Sequence, residues 1–280
     1  MARILVFDSG VGGLSVLAAV QQELLAQSPI QHQWIFCSDN AFFPYGIKNE
    51  TELLVRVASV VQALYRHYEP DILIVACNTA STVALEQVRA LLPCPIVGVV
   101  PAIKPAAGLS QSRVIGLLAT PATISRAYTH KLISDFASDC EIISIGSSEL
   151  VWMAEGYLLQ KNPDTQKLRA ILKPLHDAVI QKNIDTVVLA CTHFPLLNQF
   201  LAEQLPSIAH WVDSGDAIAR RVTWLLESLS VQQQSCTTHE NQKAKISENI
   251  ALFTRLDNNA FALRHALSQF QLYKLEELTI

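Results

Sequence analysis

Two segments of this sequence follow nearly the same residue pattern, and together they indicate the fold. The first is Asp71–Thr79 (DILIVACNT) and the second is Asp185–His193 (DTVVLACTH). Each has an acidic residue, a short apolar run ending in Ala-Cys, and then hydrogen-bonding residues. The two cysteines, Cys77 and Cys191, are 114 positions apart (191 minus 77). We therefore predict two similar halves, each contributing one thiol to a site between them.

Composition and charge narrow the class of protein. The 280-residue chain is 50% hydrophobic with a net charge of −4, so it can form one large domain or two ordinary ones. No basic stripe is visible, and we expect no nucleic-acid partner. The apolar runs are shorter than the ~20 residues of a membrane span, and no signal-peptide pattern is present. With six scattered cysteines and no C-x-x-C pair, we expect a cytoplasmic protein with reduced thiols that binds no membrane.

Short apolar runs alternate with longer amphipathic ones along the chain. The short runs are rich in Val, Ile and Leu without strict alternation, which favours strands buried on both faces of a parallel sheet. The longer runs have the apolar spacing of helices. The predicted strands are Ile4–Phe7, Trp34–Cys37, Ile72–Ala76, Ile96–Val100, Val114–Ala119, Ile142–Ile145, Thr186–Ala190 and Ile250–Thr254. The predicted helices are Leu14–Gln27, Glu50–Tyr68, Ser81–Leu91, Ile124–Phe136, Gln166–Gln181, Ala217–Leu229 and Asn259–Phe270.

The two halves can be laid over each other at a nearly constant offset. The run Ile4–Phe7 matches Val114–Leu117 at an offset of 110, and residues 102–103 match 217–218 at 115. This pattern predicts an α/β protein made of two similar doubly wound α/β domains with parallel sheets, related by pseudo-symmetry. The active site is expected in the cleft between them.

The domain boundaries follow from the same comparison. We expect a first domain of residues 1–101 plus 211–280, in which the C-terminal tail returns to cover the first half, and a second domain of residues 102–210. The polar stretch Gln232–Lys245 is typical of an exposed loop.

Polar, titratable or glycine residues follow nearly all of the predicted strands. In a doubly wound parallel sheet, ligands bind beyond the carboxyl ends of the strands, so these residues are candidates for a site. They are Asp8-Ser9-Gly10, Asp39-Asn40, 42–46 (FFPYG), Cys77-Asn78-Thr79, 120–123 (TPAT) and Cys191-Thr192-His193.

The glycine-rich turn Asp8–Gly13 (DSGVGG) allows two interpretations. At a helix N-terminus it could bind a substrate carboxylate, or it could simply be a tight strand-to-helix turn. It is not a dinucleotide fingerprint, because Ser15 stands where the third glycine belongs and an aspartate precedes the turn.

The two matched cysteines also allow two interpretations. A cysteine at the end of a buried strand is usually a small hydrophobe, but two at equivalent places followed by hydrogen-bonding residues indicate a site. Asn78 and Thr79 are capping types, so we expect Cys77 near a helix N-terminus, where a thiolate is stabilised. His193 could assist Cys191 or merely satisfy a turn.

Cys77, Cys191, His193 and Asp8 are also zinc-ligand types. No short ligand pair supports a zinc site, because Cys-x-His at a strand end is not a usual chelating spacing, and we expect no metal. The aromatic residues of 42–45 are expected to form a packed loop. The remaining cysteines are expected to be structural: Cys37, Cys94, Cys140 and Cys236.

Four segments of the chain resemble those of bacterial glutamate racemases, in the aspartate/glutamate racemase superfamily. They are 7–13 (FDSGVGG), 44–46 (PYG), 76–81 (ACNTAS) and 190–196 (ACTHFPL). The resemblance runs from about residue 4 to 218. The chain departs from it at 38–43 (SDNAFF), where an aromatic residue replaces the usual arginine of a Gly-Asp-Thr-Ala-Arg stretch.

The resemblance implies racemisation of L- and D-glutamate without pyridoxal phosphate, flavin or metal, which supplies D-glutamate for peptidoglycan. Cys77 and Cys191 would be the two acid/base thiols, and Asp8 and His193 would assist them. Besides Asp8 and His193, the residues implied in binding the amino acid are Ser9, Tyr45, Gly46, Asn78, Thr79 and Thr192.

The chemistry of the residues agrees with this implication. Inverting a stereocentre needs a base on one face and an acid on the other, and two thiols of pKa about 8.5 can supply both near neutral pH. Two alternatives remain: a related racemase or decarboxylase acting on another acid such as aspartate, and a non-catalytic amino-acid-binding protein. A homodimer is a possible assembly.

Overall fold

The computed structural model describes residues 1–28, 30–235 and 248–280, with residues 231–235 described only as part of a helix. Cys236 and most of the stretch Gln232–Lys245 lie outside the described residues. Within them, the strands are β1 Arg3–Asp8, β2 Gln33–Ser38, β3 Ile72–Val75, β4 Ile96–Gly98, β5 Val114–Ala119, β6 Glu141–Gly146, β7 Thr186–Ala190, β8 His210–Val212, β9 Ile250–Phe253 and β10 Lys274–Glu277.

The helices surround these strands and alternate with them along the chain. Two short 3-10 helices lie at Tyr45–Ile47 and Phe194–Leu197. The α-helices in the described part are α1 Gly13–Gln27, α2 Glu50–Tyr68, α3 Asn78–Leu91, α4 Ile103–Leu109, α5 Pro121–Ser125, α6 Ala127–Phe136, α7 Glu149–Leu158, α8 Thr165–Ile171, α9 Lys173–Lys182, α10 Asn198–Gln204, α11 Gly215–Ser235, α12 Asn258–Ala262 and α13 Arg264–Gln269.

The strands form two parallel sheets. The first has the order β10-β9-β2-β1-β3-β4 and the second β6-β5-β7-β8. The block β2-β1-β3-β4 and the whole second sheet therefore share one topology. Their equivalent strands start at offsets of 111 for β1 and β5 and 114 for β4 and β8. The predicted pair of pseudo-symmetric α/β domains is confirmed.

Each sheet is buried on both faces, which explains the apolar runs without alternation. In β1, Ile4 and Val6 belong to the core on the side of α1, whereas Leu5 and Phe7 belong to the core on the side of α2 and α3. The second sheet has two core clusters as well. This burial makes the strands rigid supports for the residues at their ends.

The C-terminal tail returns to the first domain, as expected. Strand β9 pairs with β2, and α11 packs against α1. The boundary expected after residue 210 cuts through β8, which pairs with β7 in the second sheet. We therefore propose that the second domain ends after Val212.

Three predicted helices are each divided in the structure. Ile124–Phe136 is interrupted at Arg126, whose backbone is extended, and helix α5 begins earlier because Thr120 caps it. Gln166–Gln181 is divided at Leu172, ahead of a proline in the first turn of α9. Asn259–Phe270 is divided at Leu263.

Other sequence-based expectations were incomplete or wrong. The pattern did not predict α4, α7, α10, β8 or β10. Residues 232–235, expected in an exposed loop, belong to α11. Among the described residues, no helix is long and apolar enough to cross a membrane.

The acidic residue that opens each of the two matched segments fixes the start of a neighbouring strand. Asp71 Oδ2 accepts a hydrogen bond from Arg3 N (2.7 Å). Asp185 Oδ2 accepts from Gln111 N (2.8 Å) and Ser112 N (2.9 Å). The pair of aspartates is thus one more sign of the pseudo-symmetry.

We predict that Asp185→Asn destabilises the protein in a pH-dependent way. Partial burial acts to raise the pKa of Asp185, but hydrogen bonds from Ser112, Thr186 and Ser110 outweigh it and hold the pKa below the ordinary 3.8. The stabilisation is therefore present above pH 4 and is lost as the pH falls through the depressed pKa. At pH 7, Asp185→Asn should lower the free energy of unfolding by about 1 kcal/mol. The value is modest because the carboxyl is partly exposed.

Urea unfolding at pH 7 and at pH 3 to 4 measures this effect. The difference in free energy of unfolding between wild type and Asp185→Asn should be smaller at the lower pH. Asp177→Asn, which removes an exposed carboxylate paired with Lys173, is the control and should change little. An equal difference in free energy of unfolding at both pH values would contradict the role given to the Asp185 carboxylate.

Candidate active site

A small buried cavity lies between the carboxyl ends of the two sheets. Its free volume is about 20 Å³, enough for a single water molecule but not for an amino acid. The cavity in this structure is therefore the closed form of the candidate site, too small to hold an amino acid. The lining residues are Ser9, Pro44, Tyr45, Gly46, Cys77, Asn78, Thr79, Thr120, Ser148, Val151, Cys191, Thr192 and His193.

The structure brings together nearly all the residues that the sequence singled out. Of the residues for which the resemblance implies a catalytic or binding role, Asp8 alone does not line the cavity, because it is fully buried at the end of β1. Those that do line it are Ser9, Tyr45, Gly46, Cys77, Asn78, Thr79, Cys191, Thr192 and His193.

Cys77 is the N-cap of α3, as expected. Its Sγ accepts a hydrogen bond from Ala80 N (3.5 Å), and its thiol donates to Ser9 Oγ (3.6 Å). Burial and the negative charge of Asp8 nevertheless raise the pKa of Cys77. The helix terminus does favour the thiolate, through the hydrogen bond from Ala80 N, but desolvation outweighs this effect.

Asp8 occupies the helix N-terminus that was considered for a substrate carboxylate. Its Oδ2 accepts from Gly13 N (2.7 Å), and Glu155 Oε1 accepts from Val11 N (2.8 Å). The substrate interpretation of this turn is thus not supported. The other carboxylate oxygen, Asp8 Oδ1, is buried and has no hydrogen-bond partner within the described part of the chain.

The glycine-rich turn is a contact between the two domains. A Cβ atom on Gly12 would lie 2.4 Å from His193 Nδ1 and 2.7 Å from Thr192 Oγ1, so only glycine fits. Ser15 Oγ also donates to Thr192 O (2.8 Å). The turn of the first domain therefore lies directly against the cysteine segment of the second.

Cys191 is the first member of a buried chain of titratable groups. His193 Nδ1 lies 3.8 Å from Cys191 Sγ, and His193 Nε2 lies 2.8 Å from Glu155 Oε1. Burial alone would lower the pKa of His193, but the hydrogen bonds and charges of Cys191 and Glu155 hold it well above the ordinary 6.5. Its two neighbours thus favour the imidazolium form of His193.

Glu155 was missed at the sequence level because α7 was not predicted. A lone carboxylate in the apolar stretch 150–158 (LVWMAEGYL) was the available signal. The same helix carries Trp152, whose ring packs edge-on against Phe43 (4.8 Å between centroids). The Phe43 ring also packs against the His193 ring, with 5.8 Å between their centroids. The expected packed aromatic loop is thus confirmed.

Tyr45 lines the cavity, but its hydroxyl is already engaged. It donates to Asp39 Oδ2 (2.6 Å), and burial together with the Asp39 charge raises the pKa of Tyr45. Its implied part in substrate binding therefore stays a prediction.

Several neutral donors surround the remaining wall. Thr79 Oγ1 lies 3.1 Å from Thr120 Oγ1, which lies 2.9 Å from Thr123 Oγ1. Asn78 Nδ2 is buried without a partner among the described residues. The wall can therefore present hydroxyl and amide donors to a ligand with negative charge.

The zinc alternative finds no support in the geometry. Within residues 1–28, 30–235 and 248–280, no three His, Cys, Asp or Glu side chains form a group that could hold a metal ion. Cys37, Cys94 and Cys140 are free thiols in the described part.

A larger cavity, of about 430 Å³, lies at the opposite ends of the first-sheet strands. Its lining includes Met1, His32 and Asp71, together with Thr223 of α11, but no cysteine. It lies at the amino ends of the strands, where parallel sheets do not usually bind substrates. The smaller cavity with two thiols is therefore the candidate active site.

Two thiols at equivalent strand ends, lining one buried cavity, define a protein suited to proton transfer at a carbon centre. Comparison with known proteins agrees. Residues 4–222 match the model of the Asp/Glu/Hydantoin racemase family. The chain belongs to this family.

Individual relatives give the same result. The chain is 52% identical over 224 residues to a glutamate racemase of Sodalis glossinidius, covering 80% of this chain and 75% of the relative. It is 45% identical over 278 residues to a glutamate racemase of Salmonella paratyphi A, covering 99% and 92%. The crystal structure of Escherichia coli glutamate racemase, in complex with L-glutamate and the activator UDP-MurNAc-Ala, matches with a TM-score of 0.86 and 42% identity, covering 99% and 98%.

We predict that Glu155→Gln lowers the pKa of His193. The substitution removes the carboxylate charge that favours the imidazolium, while burial continues to disfavour it. Nuclear magnetic resonance of ¹³C-labelled histidine measures the change directly, and His193 should titrate at a lower pH in the variant. Glu149→Gln, on the exposed side of the same helix, should leave the midpoint unchanged. An unchanged midpoint in Glu155→Gln would contradict the coupling.

Proposed function

We propose that the protein interconverts L- and D-glutamate by moving a proton between its two thiols. The observation that carries the proposal is that Cys77 and Cys191, at equivalent strand ends of two similar domains, line the same buried cavity. Both relatives described above are named glutamate racemases, and the Escherichia coli enzyme was crystallised with L-glutamate.

The two thiols differ in their surroundings, which supports opposite roles. The imidazole of His193, whose pKa is raised, lies 3.8 Å from the Cys191 sulfur, whereas burial and the charge of Asp8 raise the pKa of Cys77 and favour its neutral form. The Cys191 thiolate would remove the α-proton from one face, and the Cys77 thiol would donate its proton to the other. The reverse reaction exchanges the roles, so the total number of protons is unchanged.

The carbanion that forms between these steps needs stabilisation by the protein. The donors available at the cavity wall are neutral hydroxyl and amide groups, including Ser9, Asn78, Thr79 and Thr192. Fixed donors in a site closed to water stabilise developing negative charge strongly. Asp8, whose Oδ1 has no hydrogen-bond partner among the residues that the structure describes, would assist the exchange of the proton at Cys77.

The wider role follows from this activity. A racemase of this kind would supply D-glutamate for peptidoglycan, in the cytoplasm, without an organic or metal cofactor. A homodimer also stays a prediction. A preference for aspartate over glutamate would support the related-racemase alternative, and binding of glutamate without racemisation would support the binding-protein alternative.

We predict that Cys77→Ala and Cys191→Ala each lower the rate of racemisation by about 10³-fold or more, because each removes an acid/base group. Serine at either position should also impair the reaction, since a hydroxyl ionises far less readily than a thiol. Circular dichroism of L- and of D-glutamate solutions follows the reaction in both directions.

Cys140→Ala, which removes a thiol just before the amino end of β6 that does not line the cavity, is the matched control and should retain activity. Full activity in either alanine variant at positions 77 or 191 would eliminate the two-thiol mechanism. The same assay with L-aspartate separates the two racemase alternatives.

A further inference from the structure

The segment 38–43 and its neighbours surround a buried carboxylate. Asp39, at the end of β2, is completely inaccessible to solvent. Arg56 reaches it from α2 and donates two hydrogen bonds, from Nη2 to Oδ1 (2.6 Å) and from Nε to Oδ2 (2.8 Å). Thr254, just after β9, donates to Oδ1 (2.7 Å). Three separate elements of the first domain therefore meet at Asp39.

The fourth contact of this carboxylate leads to the cavity. Asp39 Oδ2 accepts from the hydroxyl of Tyr45, which lies between Pro44 and Gly46 in the cavity wall. Gly46 packs tightly on the second domain, because a Cβ there would lie 2.9 Å from Thr120 Cβ. The position of Asp39 thus determines the position of wall residues 44–46.

Arg56 is the group that makes this arrangement possible. A buried carboxylate without a counter-charge would be strongly disfavoured, and the planar guanidinium fixes both oxygens at once. The Phe42 ring lies 5.6 Å from the guanidinium carbon and 4.4 Å from Lys48 Nζ. Phe42 therefore lies against an ion pair whose cation comes from α2.

We propose that Arg56 is a positioning residue for the reaction, acting through Asp39 and Tyr45 on the cavity wall at 44–46. The inference rests on the proposed racemase function. Both thiols and His193 are held by other elements, so loss of Arg56 should disturb substrate binding more than proton transfer.

Kinetics of Arg56→Ala and Arg56→Lys test the proposal. In Arg56→Ala, KM for both enantiomers should rise about tenfold with a smaller change in kcat, the signature of lost binding common to ground and transition states. Lysine keeps the charge without the two-pronged geometry and should give an intermediate KM. Added guanidinium at tens of millimolar, compared with sodium chloride at equal concentration, should partly restore KM in Arg56→Ala only.

Arg66→Met, on an exposed part of the same helix, is the control and should match wild type. Tyr45→Phe should raise KM alone but add little in combination with Arg56→Lys, because both act through one contact. If Arg56→Ala does not fold, the KM values of Arg56→Lys, Tyr45→Phe and their combination still test the proposal.

Two outcomes would overturn the proposal: a wild-type KM in the folded Arg56 variants, or fully additive effects of Arg56→Lys and Tyr45→Phe. Failure of the wild-type protein to racemise glutamate would instead refute the proposed function, so the two failures are distinguishable.

Discussion

The close approach of Gly12 to Thr192 and His193 is the contact on which the site depends. It places the first turn of one domain directly against the strand end of the other, where no side chain larger than hydrogen fits. Asp8 caps the helix that follows, and Glu155 reaches across from the second domain to Val11 N. These contacts fix the two thiols on one cavity and close it to a volume of about 20 Å³.

Pseudo-symmetry explains the location of the thiols, and departures from it explain how they differ. Cys77 is buried and lies near the Asp8 carboxylate, and both favour the neutral thiol. Cys191 instead has the pair of His193 and Glu155, and no such histidine–glutamate pair lies at Cys77 among the described residues. A symmetric scaffold thus supports one acid and one base, as inversion of a stereocentre requires.

The sequence was sufficient for the architecture and for most of the cavity lining. Buried parallel strands produce apolar runs, and their carboxyl ends carried Ser9 and the recognisable equivalent pair of Cys77 and Cys191. The sequence was insufficient to identify Glu155 and Arg56. Each acts through a tertiary contact from one face of a helix, and such a contact produces no recognisable pattern in the neighbouring sequence. The raised pKa of Cys77 could not be predicted from the local sequence either, because helix capping lowers this pKa and desolvation raises it.

Racemisation in heavy water tests the central claim, that two separate thiols act on opposite faces of the substrate. Starting from one enantiomer and stopping at low conversion, mass spectrometry of each recovered enantiomer measures deuterium at the α-carbon. The product should carry solvent deuterium, delivered by the second thiol, while the remaining substrate stays almost unlabelled because the first thiol returns the proton it removed. Equal labelling of recovered substrate and product would show a single base and contradict the account.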